Sequence, residues 1–377
     1  MDANAKLVAL ALIASTAGFP VGRAVFGSNR TSITSSAALP RDSCAQGTWA
    51  PARDESLPAP NPPASRGATR TEVVKTFVAL LGDVDKAEYH HRRQWYLQGL
   101  IQPFMVWFLT QQQHAAGVHG SVGEIGVHYG GFFLAIAAAS APAERLFAVD
   151  IFDNQQLNVD GSGKAVFKKF EENVKLLGFG TAELGQKNTK RKPWQNGRPV
   201  HYIKDASTSV DGPAFAQLAR QPVRMMSVDG GHTREATCHD INLADSFLHD
   251  GGIVIVDDLG CCDKQVSWSL GVIDGVASYF STRSNRTQPR RLEPFFFAAP
   301  KLYLAAKPFA QRYRAALRSD RVINQLFNLD GGTIDGNKGG APMHPSRYTM
   351  FGGQILRPAE QPKESAIKAL WLERLNA

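Results

Sequence analysis

Residues 120–135 read GSVGEIGVHYGGFFLA, and a second apolar run, LFAVD, follows them and ends at Asp150. An apolar run, a glycine-rich turn and a further apolar, helix-compatible run form the strand–turn–helix opening of a nucleotide-binding α/β domain. Gly126 and Gly130 let the backbone turn sharply and approach a ligand, because neither carries a Cβ. Their spacing does not match the G-x-G-x-x-G of dinucleotide sites. Glu124, read here as part of the turn, would repel a pyrophosphate seated on the helix N-terminus. It favours a ligand with positive charge instead, and S-adenosylmethionine, with a sulfonium, an ammonium and no phosphate, is such a ligand. Asp150 at the tip of the second strand is placed to bind ribose hydroxyls.

Outward from this stretch, strands are expected at residues 118–125, 146–151, 200–203, 224–228 and 252–256. Helices are expected at 132–140, 164–177, 213–220 and 234–248. Strands alternating with helices predict a mostly parallel sheet covered on both faces, a Rossmann-like three-layer sandwich. Residues 292–305, LEPFFFAAPKLYLA, break the alternation and predict an antiparallel hairpin at the sheet edge. Helical spacing is also read at 71–81, within 85–113, at 309–317 and at 365–375, with a strand within 348–356. The loop at 330–340, DGGTIDGNKGG, lacks the Lys-Ser/Thr ending of a P-loop.

The 377 residues are 43% hydrophobic, which excludes a chain disordered by composition. The net charge of +8 is dispersed and not interleaved with aromatics, so no nucleic-acid partner is expected. Cys44, Cys238, Cys261 and Cys262 are too few for a disulfide framework and lack CxxC zinc spacing; free thiols are expected. Residues 7–21, LVALALIASTAGFPV, fit the apolar core of a signal peptide, and the expected segment 1–26 is a signal peptide or signal anchor. That implies entry into the secretory pathway and anchoring at a membrane, with an organelle transit peptide as the alternative. Residues 27–69, rich in Ser, Ala, Pro and Arg, read as a disordered stem. The remaining expected units are N-terminal helices at 70–116, the α/β domain at 117–310 and a C-terminal extension at 311–377.

The chemistry-bearing residues lie where two strands end, in SVDGGHTREATCHD (227–240) and GGIVIVDDLG (251–260). Ligands of parallel sheets bind outside the carboxyl ends of the strands. If these strands are neighbours, Asp229, Asp257 and Asp258 meet at one crevice and repel one another unless a cation sits among them. All-oxygen ligands select a hard ion such as Mg²⁺, Mn²⁺ or Ca²⁺. His232, three residues past Asp229, is a candidate general base, as is Asp229.

The set GEIGVHYGGFFLAIA, LFAVDIFD, MMSVDGGHTREATCHDINLADSFLHDGGIVIVDD and PFFFAAPKLYLA resembles a class I S-adenosylmethionine-dependent methyltransferase. Within that class it is similar to the macrocin O-methyltransferase and cephalosporin-hydroxylase-like group. The resemblance spans about residues 98–306 and implies a seven-stranded sheet whose last strand runs antiparallel. It implies that Glu124, Gly126 and Gly130 form the first cofactor motif and that Asp150 holds the ribose. It also implies that Asp205 and Ser207 lie near the adenine, and that Asp229, Asp257 and Asp258 bind Mg²⁺. The sequence departs from the pattern at Val127–His128, where the motif has its middle glycine. The implied activity is methyl transfer to a hydroxyl of a small molecule or glycan. Three other readings stand beside it: an NAD-dependent oxidoreductase, a non-catalytic Rossmann-like module, and a glycosyltransferase suggested by the stem and by Asp83–Val84–Asp85.

Overall fold

The computed structural model describes residues 101–157, 166–185, 198–259, 266–284, 291–298, 300–320, 323 and 349–356. The expected signal segment, stem, 71–81 helix, the part of the 85–113 helices before residue 101, 330–340 loop and terminal helix lie outside these residues, as do Cys44, Cys261 and Cys262. Among the described residues no helix is long and apolar enough to cross a membrane.

Helix α1 (Ile101–Ala115) leads into β1 (Ser121–Ile125), α2 (Gly131–Ala139) and β2 (Leu146–Asp150). Then come α3 (Val166–Leu176), β3 (Gly180–Glu183), β4 (Pro199–Lys204), α4 (Gly212–Ala219) and β5 (Val223–Val228). Helix α5 (Arg234–Phe247) runs straight into β6 (Leu248–Val256), followed by α6 (Val266–Ser284). The hairpin is β7 (Leu292–Ala298) and β8 (Lys301–Ala306), and α7 (Lys307–Ser319) follows it. A two-residue pair, β9 (Thr349–Met350) and β10 (Gly353–Gln354), replaces the single strand expected within 348–356.

The main sheet has eight strands in the order β3-β4-β2-β1-β5-β6-β8-β7. The first six are mutually parallel; β8 runs antiparallel to β6, and β7 to β8. The architecture is the expected Rossmann-like one, with one strand more than the seven implied. The extra strand is β3, a polar GTAE segment paired with β4 at the edge, where no apolar run announced it. Helix α6 was likewise not foreseen.

Strand residues alternate between the two faces. Val122, Leu146, Ala148, Met225, Ile253 and Ile255 pack against α1, α2, α3 and α7. Ile125, Phe147, Val149, Met226, Val228, Val254 and Val256 pack against α4, α5 and α6 on the other face. Both faces of the central strands are buried, which is why they read as continuous apolar runs rather than as alternation.

At the amino end of the sheet, fully buried Arg224 donates to both oxygens of Glu144 at 2.7 and 2.8 Å. The two Nη1 donors reach Thr110 and Gln113 of α1. His114 lies 3.1 Å from the same carboxylate and stacks on His119. Cys238, buried on α5, is disulfide-bonded, which corrects the free-thiol expectation there; its partner lies outside the described residues.

Candidate active site

The carboxyl ends of β1, β2, β5 and β6 are tied together by backbone bonds. Gly126 N donates to Val149 O, Asp229 N to Ile125 O and Asp257 N to Val228 O, at 2.8, 2.8 and 3.0 Å. This places the loops that carry Gly126, Asp150, Asp229 and Asp257 around one crevice, as the parallel topology requires.

The first loop is shaped by left-handed residues. Gly126 has φ 79° and Gly130, which caps α2, has φ 87°. A Cβ on Gly126 would lie 1.7 Å from the Asp229 carbonyl oxygen. His128, in place of the middle glycine, takes φ 50°, and its N–H donates to Asp150 Oδ2 at 2.7 Å. Asp150 Oδ1 accepts from Phe152 N at 2.5 Å, so this acid organises the loop as well as facing the crevice. Burial pushes the Asp150 carboxyl up, against those backbone N–H groups.

Glu124 is not in the turn. It is a strand residue of β1, 1% exposed, and both of its carboxylate oxygens are buried without a hydrogen-bond partner. Burial pushes its pKa up to about 8, against the pull of the Lys301 charge. A buried acid with no partner is costly, and a donor-bearing or cationic ligand would relieve that cost.

Asp229, His232 and Asp258 form a tight group, with ligand atoms within 4.8 Å of one another. His232 Nε2 is 3.0 Å from Asp258 Oδ2 and 3.7 Å from Asp229 Oδ1. Burial disfavours charge on the His232 ring, but hydrogen bonds to Asp229 and Asp258, with their charges, outweigh it and raise the pKa to about 10. Burial and then the charge of Asp257 push the Asp229 carboxyl up; its side chain is 28% exposed, so solvent moderates that rise. Asp258 holds a left-handed φ of 58°, a strained conformation for a non-glycine residue.

Asp257 is not one of this group, although its charge acts on Asp229. It is ion-paired with Lys301, the first residue of β8, which is 6% exposed. The three expected acids thus end at one crevice, where Lys301 pairs with Asp257 and His232 lies between Asp229 and Asp258. Asp205 accepts from Ala206 N at 2.7 Å just past β4. Ser207 is buried and donates to Asp240 Oδ2 at 3.0 Å, so its hydroxyl already has a partner. Lys301 was missed in the sequence; its one signal is a lone charge inside the apolar PFFFAAPKLYLA. A second group, His114, His119 and Glu144, is drawn together at the opposite end of the sheet, where Arg224 already engages both Glu144 oxygens.

Residues 124–259 match the family model described as a methyltransferase domain. The crevice is thus built within the segment that this methyltransferase-domain model matches. No curated protein matches the chain in sequence. Among solved structures it is similar to the O-methyltransferase NovP, at 14% identity over 62% of this chain and 96% of that one, with a TM-score of 0.40. It is also similar to the O-methyltransferase TomG of Streptomyces achromogenes, involved in tomaymycin synthesis and solved with S-adenosylmethionine. There the identity is 12% over 62% and 89% of the two chains, with a TM-score of 0.35.

Proposed function

We propose that this domain transfers the methyl group of S-adenosylmethionine to a hydroxyl of a small molecule or glycan, with a divalent cation assisting. The observation that supports it best is the Asp229–His232–Asp258 group, set beside the Gly126 loop and the unpartnered Glu124. S-adenosylmethionine supplies an electrophilic methyl on a sulfonium. Asp150 would take the ribose hydroxyls and Glu124 the cationic end. Gly126 and Gly130 leave room for the cofactor backbone to come close. A cation such as Mg²⁺ or Mn²⁺ would be held by Asp229, Asp258 and His232, and would withdraw charge from the acceptor hydroxyl. The ion and a proton compete for His232, because the ring must be neutral to ligate. His232 or Asp229, whichever the ion leaves free, would accept the proton of the acceptor hydroxyl. The glycan option rests on the stem-like residues 27–69.

Titration calorimetry of the folded protein with S-adenosylmethionine tests the cofactor assignment. Micromolar binding is expected. Release of S-adenosylhomocysteine is then measured over a panel of sugars and vicinal diols, with and without Mg²⁺. Absence of binding would reject the methyltransferase reading and leave the dinucleotide, sugar-nucleotide and scaffold alternatives.

A further inference from the structure

Glu124, Asp229, Asp257 and Asp258 end three adjacent strands, and four carboxylates that close cannot all stay charged without cations among them. Among the described residues, His232 and Lys301 are ion-paired with these acids. His232 lies between Asp229 and Asp258, their counter-ion when protonated and a metal ligand when neutral. Lys301 serves Asp257, and its position is fixed from several sides. Strand β8 runs antiparallel to β6, with Val256 opposite Leu302, so Lys301 falls beside Asp257 in register. Leu259 N donates to Pro300 O at 2.9 Å and fastens the start of β8 to the residues just after Asp258. The ammonium sits 4.0 Å from the Phe132 ring centre, on the first turn of the cofactor-loop helix α2. Burial would push this lysine's pKa down, but the charges of Asp257, Asp229 and Glu124 outweigh it and hold the pKa above the ordinary value.

We propose that Lys301 is a positioning residue that acts as the built-in cation of the crevice, holding Asp257 out of the ligand set and leaving Asp229, His232 and Asp258 as the divalent-ion site. The proposal rests on the cation-assisted reading above. It departs from a three-carboxylate site because the third carboxylate already has a permanent counter-ion from the edge strand. The same ammonium lies over the Phe132 ring, so one side chain touches the helix after the Gly126 loop and pairs with the acid beside it.

Mn²⁺ alone is the probe, and its Kd is read by electron paramagnetic resonance on the full-length protein. Asp258→Asn is expected to weaken Mn²⁺ roughly tenfold or more, as loss of a ligand does, whereas Asp257→Asn changes it by no more than about twofold. Lys301→Met is expected to tighten Mn²⁺ roughly tenfold, because Asp257 is freed to join as an added charged ligand. The gain should vanish in the Lys301→Met/Asp257→Asn double variant, and Lys301→Arg should behave as the wild type. A lysine that merely packs would not tighten metal binding when removed. The proposal is overturned if Asp257→Asn weakens Mn²⁺ as much as Asp258→Asn, or if Lys301→Met binds no more tightly than wild type. Mn²⁺ binding by Lys301→Met where wild type shows none supports it; silence in both overturns it. If Lys301→Met does not fold, the Asp257→Asn and Asp258→Asn pair still decides. S-adenosylmethionine affinity of the wild type is measured separately, and its absence would reject the methyltransferase reading without altering the Mn²⁺ comparison.

Discussion

The carbonyl oxygen of Asp229 occupies the space where residue 126 would carry a Cβ, 1.7 Å from its ideal position. Gly126 is thus the contact through which the cofactor loop after β1 and the acidic loop after β5 are brought against each other. Its φ of 79° adds a second demand for glycine. Gly126→Ala is expected to cost about 1–3 kcal/mol for the strained backbone alone. The clash with backbone comes on top. A large fall in thermal midpoint with loss of S-adenosylmethionine binding is expected; a variant that melts and binds like wild type would refute the contact.

Glu124 is expected to make S-adenosylmethionine binding pH-dependent. Its folded pKa of about 8 keeps it protonated at neutral pH, whereas a cationic ligand favours the ionised form. Binding should therefore expel a proton and tighten as pH rises from about 6 to 8, by up to tenfold per pH unit. Calorimetry in buffers of different ionisation enthalpy reads that proton directly. Glu124→Gln should abolish both effects, and pH-independent binding by the wild type would show that Glu124 does not face the cofactor.

Gly271 of α6 supports the site from behind. A Cβ there would lie 2.1 Å from the His232 carbonyl oxygen and 3.2 Å from Thr233 Cα. Glycine to alanine within a helix ordinarily gains about 1 kcal/mol of propensity. Here Gly271→Ala should lower the thermal midpoint instead and weaken Mn²⁺ binding, because the turn carrying His232 must move. Stabilisation with unchanged Mn²⁺ affinity would contradict this.

The Arg224–Glu144 pair makes the fold acid-sensitive. Burial would raise the Glu144 pKa, but the hydrogen bond from His114 and the charge of Arg224 outweigh it and hold the pKa at about 2. A depressed carboxylate contributes stability that is complete above its unfolded value of about 4.3 and is lost as pH falls towards 2. Urea unfolding should show this loss between pH 5 and about 2. Glu144→Gln should cost about 3–5 kcal/mol at pH 7 by stranding Arg224, and should flatten the acid dependence. An equal acid slope in the variant would place the effect elsewhere.

The central fold was legible because its signals are local. Runs such as LFAVD and GGIVIV are buried on both faces, and helix spacing lies between them, so order along the chain implies a parallel, doubly covered sheet. That Gly126, Asp150 and Asp229 would lie at one crevice was legible because strand ends in such sheets converge. Strand β3 was missed because a polar edge strand gains its identity from pairing with β4, and α6 because nothing in the reading marked its start. Glu124 was misplaced by a boundary: β1 runs one residue beyond it, which moves the acid from a solvated turn into the core. What only the tertiary structure decided were the charge partners. Arg224 and Glu144 are 80 residues apart, and Lys301 and Asp257 are 44 apart. Sequence fixes which residues can be charged, but an ion pair is chosen by strand register and by burial that strips away water, and both exist only once the sheet has closed.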